Sequence, residues 1–161
     1  MTDIVILGGA RTAIGAFGGS LATVTPIDLG ATVAKAALMR AQVDGGQIGH
    51  VAFGHVINTE PRDMYLSRVA ALQAGIADSA PAMNVNRLCG SGLQAIVSVA
   101  QSLMLGDAEF GLAGGAENMS RSPLYNAGAK MGPKDGRCQS ARYDARFATL
   151  SIRYRPYGNY C

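Results

Sequence analysis

The residue of this sequence whose type and setting best suit chemistry is a cysteine followed at once by glycines. Cys89 stands in Asn84-Val85-Asn86-Arg87-Leu88-Cys89-Gly90-Ser91-Gly92, between a short apolar run from Ala80 to Val85 with Pro81 at its mouth and a long apolar pattern of helical period. That spacing puts the thiol where a strand turns into a helix. Backbone N–H groups without intrahelical partners point outward at such a place, and the positive end of the helix dipole favours a thiolate. The glycines let a substrate or another backbone come near. A small buried hydrophobe is the other reading of a free cysteine, and spacing alone leaves both open.

His50 and His55 are the only histidines. Both fall in His50-Val51-Ala52-Phe53-Gly54-His55-Val56-Ile57, which reads as a strand, and their odd separation sends them to opposite faces. They cannot jointly hold a metal, and each reads as structural. The three cysteines, at 89, 138 and 161, are an odd set with no zinc spacing, so neither a disulfide framework nor a metal site is expected.

The elements that must position Cys89 are read from periodicity. Asp3-Ile4-Val5-Ile6-Leu7 is a β-branched apolar run bounded by Gly8-Gly9, which reads as a strand buried on both faces. The glycine-rich loop after it, Gly8 to Gly19, lacks the G-x-G-x-x-G spacing of a dinucleotide site. Thr25-Pro26-Ile27-Asp28 opens a helix with a hydroxyl N-cap, proline at the first helical position and an acid in the first turn. Ala31, Ala34, Leu38 and Ala41 continue it until Gly45-Gly46. A second helix opens at Glu60-Pro61-Arg62-Asp63 and carries Tyr65, Val69, Leu72 and Ile76 on one face. The third helix, from about Ser91 to Leu105, is apolar over most of its circumference, with only Gln94, Ser98, Gln101 and Ser102 polar, and so is expected inside the protein. Gly106-Asp107 turns the chain into a last strand, Phe110-Gly111-Leu112-Ala113.

Alternating strands and helices predict an α/β fold with right-handed crossovers and a mostly parallel sheet covered by helices on both faces. Chemistry in such sheets collects at the carboxyl ends of the strands. Cys89 and the loop after Ala116 both belong to such ends. The length of 161 residues fits one domain with a real core. No uninterrupted apolar run long enough to span a bilayer is read, and Met1-Thr2-Asp3 lacks the basic flank of a signal peptide, so a cytoplasmic protein without membrane contact is expected. The net charge of +3 comes from the end of the chain, where Arg137, Arg142, Arg146, Arg153 and Arg155 face the single acid Asp144. It says little about partners of the main body.

The wording of these motifs is more specific than their spacing. Asn86-Arg87-Leu88-Cys89-Gly90-Ser91-Gly92-Leu93-Gln94-Ala95-Ile96 closely resembles the nucleophile segment of the thiolases, acyl-CoA acyltransferases that make or cleave 3-ketoacyl-CoA. Ala10-Arg11-Thr12, Gly15, Phe17-Gly18-Gly19 and Leu21 resemble the family's opening, and Gly114-Gly115-Ala116-Glu117-Asn118-Met119-Ser120 its second marker. The segment Thr59-Glu60-Pro61-Arg62-Asp63-Met64-Tyr65 is similar to that of bacterial short-chain 3-ketothiolases. A ketosynthase-like condensing enzyme is the alternative within the same chemistry, but Leu88 to Gly92 and the second marker favour a thiolase.

The resemblance implies an incomplete thiolase-like layered α/β fold, parallel or mixed, with residues 1–120 as an N-terminal core and 121–161 as the start of a loop region and a divergent, disordered tail. It implies Cys89 as the nucleophile that takes an acyl group from a CoA thioester, with its own N–H donating to the developing oxyanion. Acyl-CoA and CoA are then the substrates, with no metal and no separate cofactor, in a protein that forms homo-oligomers. The family's Gly-His-Pro histidine, Cys-x-Gly cysteine and Asn-Glu-Ala-Phe segment are not found in this sequence. The chain is therefore expected to be a truncated fragment without turnover.

Beyond Gly132 the resemblance stops. Tyrosines interleaved with arginines there would suit nucleic acid, but no nucleic-acid module accompanies them and none is expected as a partner. Back-translation of Ser151 to Cys161, read one nucleotide later, permits Pro-Phe-Gly-Thr-Val-His-Met-Gly-Ile-Thr-Ala, which resembles the thiolase segment expected downstream. A shift of frame between about Met131 and Ser151 is the hypothesis. Resequencing the gene is expected to show thiolase codons continuing in the shifted frame; their absence would refute the shift.

Overall fold

The computed structural model describes residues 3–125 together with 141–142, in two units, Met1–Ser122 and Pro123–Cys161. The first holds α1 (Pro26–Ala41), β1 (Ile48–Gly54), α2 (Leu66–Gln73), β2 (Ala82–Val85), α3 (Ser91–Leu105) and β3 (Phe110–Gly115). In the second, β4 (Leu124–Tyr125) pairs antiparallel with β5 (Ala141–Arg142). Cys138, Cys161 and the shifted-frame segment lie outside the described residues, as do the tail's expected disorder and its weighing as a nucleic-acid binder.

The sheet of the first unit is parallel, in the order β2-β1-β3. Alternation along β1 decides what covers each face. Val51 and Phe53 enter one cluster with Ile27, Ala34 and Leu38 of α1 and Leu66 and Ala71 of α2. Ala52 faces the other way and meets Ala95 and Val99 of α3. Helices therefore cover both faces, as the alternating pattern predicts. Phe53 is 1% exposed, and its ring lies where a Cβ on Gly114 would come within 2.9 Å of it, so the sheet itself makes room for the ring.

Local rules account for α1. The Thr25 hydroxyl accepts the Asp28 N–H at 3.0 Å and donates to the Asp28 carboxylate at 2.7 Å, with Pro26 in the first turn. The helix stops earlier than the glycine pair suggests, because Gln42 takes the left-handed conformation, φ 54°, and returns its N–H to Leu38 and Met39. Gly45-Gly46 instead begins a short 3-10 turn capped by Asp44. The second helix also starts differently: Pro61–Tyr65 is a 3-10 turn, and regular α geometry begins at Leu66.

Two expectations about burial are overturned. Asp3-Ile4-Val5-Ile6-Leu7 is not a strand, and Val5 and Ile6 are 67% and 83% exposed. An apolar run becomes a strand only when neighbouring strands take its N–H and C=O groups, and among the described residues none pairs with it. Two residues beyond it, Gly9 O accepts from Arg40 Nη1 at 2.8 Å. The other correction concerns α3, of which only Ser91, Ala95 and Val99 are buried, while Leu93, Met104 and Leu105 stand exposed. One narrow stripe, Ala95 and Val99 with Leu103 beside them, meets the sheet, while Leu93, Ile96, Val97, Met104 and Leu105 remain exposed. By length and composition alone Leu88–Leu105, with mean hydropathy 1.4, is apolar enough to cross a membrane; its helical part, α3 (Ser91–Leu105), packs on β1 and β3 and covers one face of the sheet.

Phe53→Ala removes the largest buried side chain at the point where α1, α2 and β3 meet. It is expected to lower stability by about 3–5 kcal/mol, read as a fall in the urea midpoint of the purified chain.

Candidate active site at the strand ends

The three parallel strands end together, and short backbone hydrogen bonds link the segments just beyond them. His55 N–H donates to Val85 O at 3.1 Å and Ala116 N–H to Gly54 O at 3.1 Å, so β1 is linked to the last residues of its neighbours. The first turn of α3 lies directly against β1. A Cβ on Gly54 would stand 2.7 Å from Gly92 N and 2.7 Å from the Ser91 carbonyl carbon, both backbone atoms. Only glycine admits this approach.

Cys89 is exposed on the loop between β2 and α3, where the sequence places it. Its loop is held by hydrogen bonds of short range. Leu88 N–H donates to Asn86 Oδ1 at 3.1 Å, Arg87 N–H to Ser91 Oγ at 2.9 Å, and the Ser91 hydroxyl to Leu88 O at 2.6 Å. Gly90 N–H reaches Arg87 O at 3.1 Å and Ser91 N–H reaches Leu88 O at 3.0 Å. Arg87 Nη1 donates to Gln94 Oε1 at 2.5 Å, which lays the guanidinium along the start of α3. Gly90 is the N-cap and supplies no side-chain cap. An exposed thiol one residue before an N-cap without a side-chain cap is an arrangement that suits a nucleophile whose substrate becomes anionic.

The strand spacing read for the two histidines is corrected at one end. Because β1 stops at Gly54, His55 lies just beyond the strand. It is nonetheless structural, as expected. Its Nδ1 lies 2.8 Å from Ala116 O and 3.5 Å from Glu117 Oε1, while its Nε2 lies 3.9 Å from Asp63 Oδ2. Neither ring nitrogen is hydrogen-bonded to Cys89. His50, half-buried on β1, has an Nε2 with no hydrogen-bond partner among the described residues. No group of three or more His, Cys, Asp or Glu is placed to hold a metal ion among those residues.

Sequence reasoning gave no role to the polar groups around this site. Glu117 accepts Val56 N–H at 3.0 Å and Ile57 N–H at 3.1 Å, fixing the chain as it leaves β1. Asp63, fully buried, accepts Thr59 N–H at 2.6 Å and the Thr59 hydroxyl at 2.8 Å, and its carbonyl takes Asn84 Nδ2 at 2.9 Å. Asn118 Nδ2 donates to the carbonyls of Leu21, Ala22 and Val24, at 3.0, 3.3 and 2.7 Å, pinning the loop before α1 to the end of β3. Glu117 and Asn118 sit inside the second marker, so their positions were visible as a motif. The partners, nearly a hundred residues away for Asn118, were not.

Comparison with known proteins fits this arrangement. A family model for the thiolase N-terminal domain matches residues 4–146. The chain is 58% identical over 134 residues to the beta-ketothiolase BktB of Cupriavidus necator, covering 83% of this chain and 34% of that protein. It is 47% identical over 136 residues to an acetyl-CoA acetyltransferase of the same organism, again covering 34% of it. Among solved structures, human mitochondrial 3-ketoacyl-CoA thiolase superposes with a TM-score of 0.79 at 37% identity, over 83% of this chain and 34% of that one. The chain belongs to the thiolase family. It spans about a third of the length of the relatives it matches.

Gly54→Ala forces a methyl into the backbone of the first turn of α3. A loss of about 1–3 kcal/mol is expected, with slower alkylation of Cys89, measured by denaturant titration and by peptide mapping after a timed iodoacetamide reaction.

Proposed function

We propose that this chain carries the acyl-accepting part of a thiolase site, with Cys89 as nucleophile. The observation that carries the reading is an exposed cysteine at the β2–α3 junction, on strand ends of thiolase type, in a chain 58% identical over its matched length to a beta-ketothiolase. The Cys89 thiolate attacks the carbonyl carbon of an acyl-CoA. A new C–S bond forms, the bond from that carbon to the CoA sulfur breaks, and the CoA thiolate leaves and takes up a proton. Backbone N–H groups at the start of α3 and the positive end of its dipole face the oxyanion that develops in between.

Substrates on this reading are acyl-CoA and CoA, used without a metal or separate cofactor. A CoA complex is among the structures that superpose on this chain, and a rat relative is described as cytosolic, which supports substrate class and a cytoplasmic location. The second half-reaction in the family draws on a Gly-His-Pro histidine, a Cys-x-Gly cysteine and an Asn-Glu-Ala-Phe segment, and this sequence contains none of the three motifs. The chain by itself is therefore proposed to accept an acyl group without turning over, and its homo-oligomerisation is open to the same experiment.

The purified chain is expected to show no thiolysis of acetoacetyl-CoA, followed by loss of absorbance of the enolate, and to elute in size exclusion as a defined species. Turnover that Cys89→Ser abolishes would contradict the inactive reading while upholding the nucleophile. Failure of Cys89 to take an acetyl group from acetyl-CoA, checked by intact mass against Cys89→Ser, would remove the acyl-transfer reading itself.

A further inference from the structure

The residue before the nucleophile has an unusual backbone. Among the described residues only Gln42 and Leu88 have positive φ without being glycine. For Gln42 this is a routine helix C-cap. Leu88, at φ 50°, ends no helix, and a residue with a branched side chain is disfavoured there because its Cβ crowds the following carbonyl. Its own side chain does not hold it, being 67% exposed.

Leu88 N–H is held by Asn86 Oδ1 and its C=O accepts the Ser91 N–H, and one further side chain bridges the two sides of the residue. Ser91 Oγ accepts Arg87 N–H on one side of Leu88 and donates to Leu88 C=O on the other. The hydroxyl is not a helix cap, since it points back along the chain and makes no bond to an N–H of α3. It is buried, and its Cβ is fixed against Gly54, within 2.9 Å of where a Cβ on that residue would stand. Its direction is thereby set by β1.

We propose that Ser91 is a positioning residue for Cys89: its hydroxyl clamps Leu88 in the left-handed conformation and so sets the direction in which the neighbouring thiol leaves the β2–α3 junction. The inference rests on the reading of Cys89 as nucleophile and adds a residue to that site. Without the clamp Leu88 relaxes toward negative φ, and Cys89 rotates away from the open helix terminus.

The test measures the iodoacetamide rate at Cys89 in the full chain by peptide mapping, with circular dichroism as the check on folding. Ser91→Ala is expected to slow Cys89 about fivefold or more, in line with the loss of two hydrogen bonds. Glycine takes φ of +50° without steric cost, so adding Leu88→Gly is expected to restore most of the rate, and Leu88→Gly alone to stay within about twofold of the parent, as for any change that leaves the clamp in place. Rescue is the discriminating result, because a serine needed only for packing would not be replaced by a change at Leu88. An unchanged rate in Ser91→Ala, or a slowed rate that Leu88→Gly leaves uncorrected, would overturn the proposal. Should Ser91→Ala fail to fold, a folded and reactive double variant upholds it and an unfolded double variant overturns it. Acetylation by acetyl-CoA is scored separately on the parent chain. If it is absent while the alkylation pattern holds, the acyl-transfer reading falls and the clamp stands.

Discussion

The constraint on which the rest of the structure depends is the contact between the first turn of α3 and the end of β1, where Gly54 leaves no room for a side chain. A parallel sheet ends in a row of unpaired carbonyls and a row of loops. Here those loops are short, and they are tied across the sheet by His55 to Val85 and by Ala116 to Gly54. Seating the first turn of α3 on the backbone of Gly54 brings the helix N-terminus close to that row. The loop carrying Cys89 inherits its position from the sheet, not from its own side-chain packing.

Much of this was legible in the residues. A hydroxyl before proline and an acid fixed the start of α1, and apolar runs interrupted by glycine marked β1, β2 and β3 in sequence. The junction that holds Cys89 was marked by the change of period at Gly90. What periodicity cannot convey is whether a partner exists. Asp3 to Leu7 has the composition of a doubly buried strand, yet burial is a property of neighbours, and the sheet of the described residues ends at β3 without reaching it. The same reasoning explains α3. Its composition describes most of its circumference as apolar, but the sheet beneath it presents Ala52, Ala113 and Val85, and accepts only the stripe of Ala95, Val99 and Leu103.

The polar network was illegible for a different reason. Asp63, Asn84, Ser67, Glu117 and Asn118 are scattered over the sequence, and each by itself reads as a turn or cap residue. Their bonds run to backbone groups that sequence patterns do not display. Ser67 N–H reaches Asn84 Oδ1 at 2.8 Å, joining the start of α2 to β2, and Asn118 reaches three carbonyls of the loop before α1. Such bonds carry little net energy apiece, but a buried carbonyl left without them costs more than the bond contributes. They make the strand-end loops specific in shape, where the apolar core makes them only stable.

This division bears on how a nucleophile can be built from so small a part of a site. The proposed reactivity at a helix terminus needs an accessible thiol, a fixed direction and a field; the loop supplies the exposure, the bonds among Asn86, Arg87, Leu88 and Ser91 hold the loop, and α3 supplies the field. Activation by a base and stabilisation of the second transition state need groups brought in from other chain segments. His55, the histidine beyond the end of β1, does not substitute for them, because its ring is committed to Ala116 and lies beside Glu117 and Asp63. On the proposed reading of Cys89, the loop between β2 and α3 places the thiol and His55 takes no part in activating it.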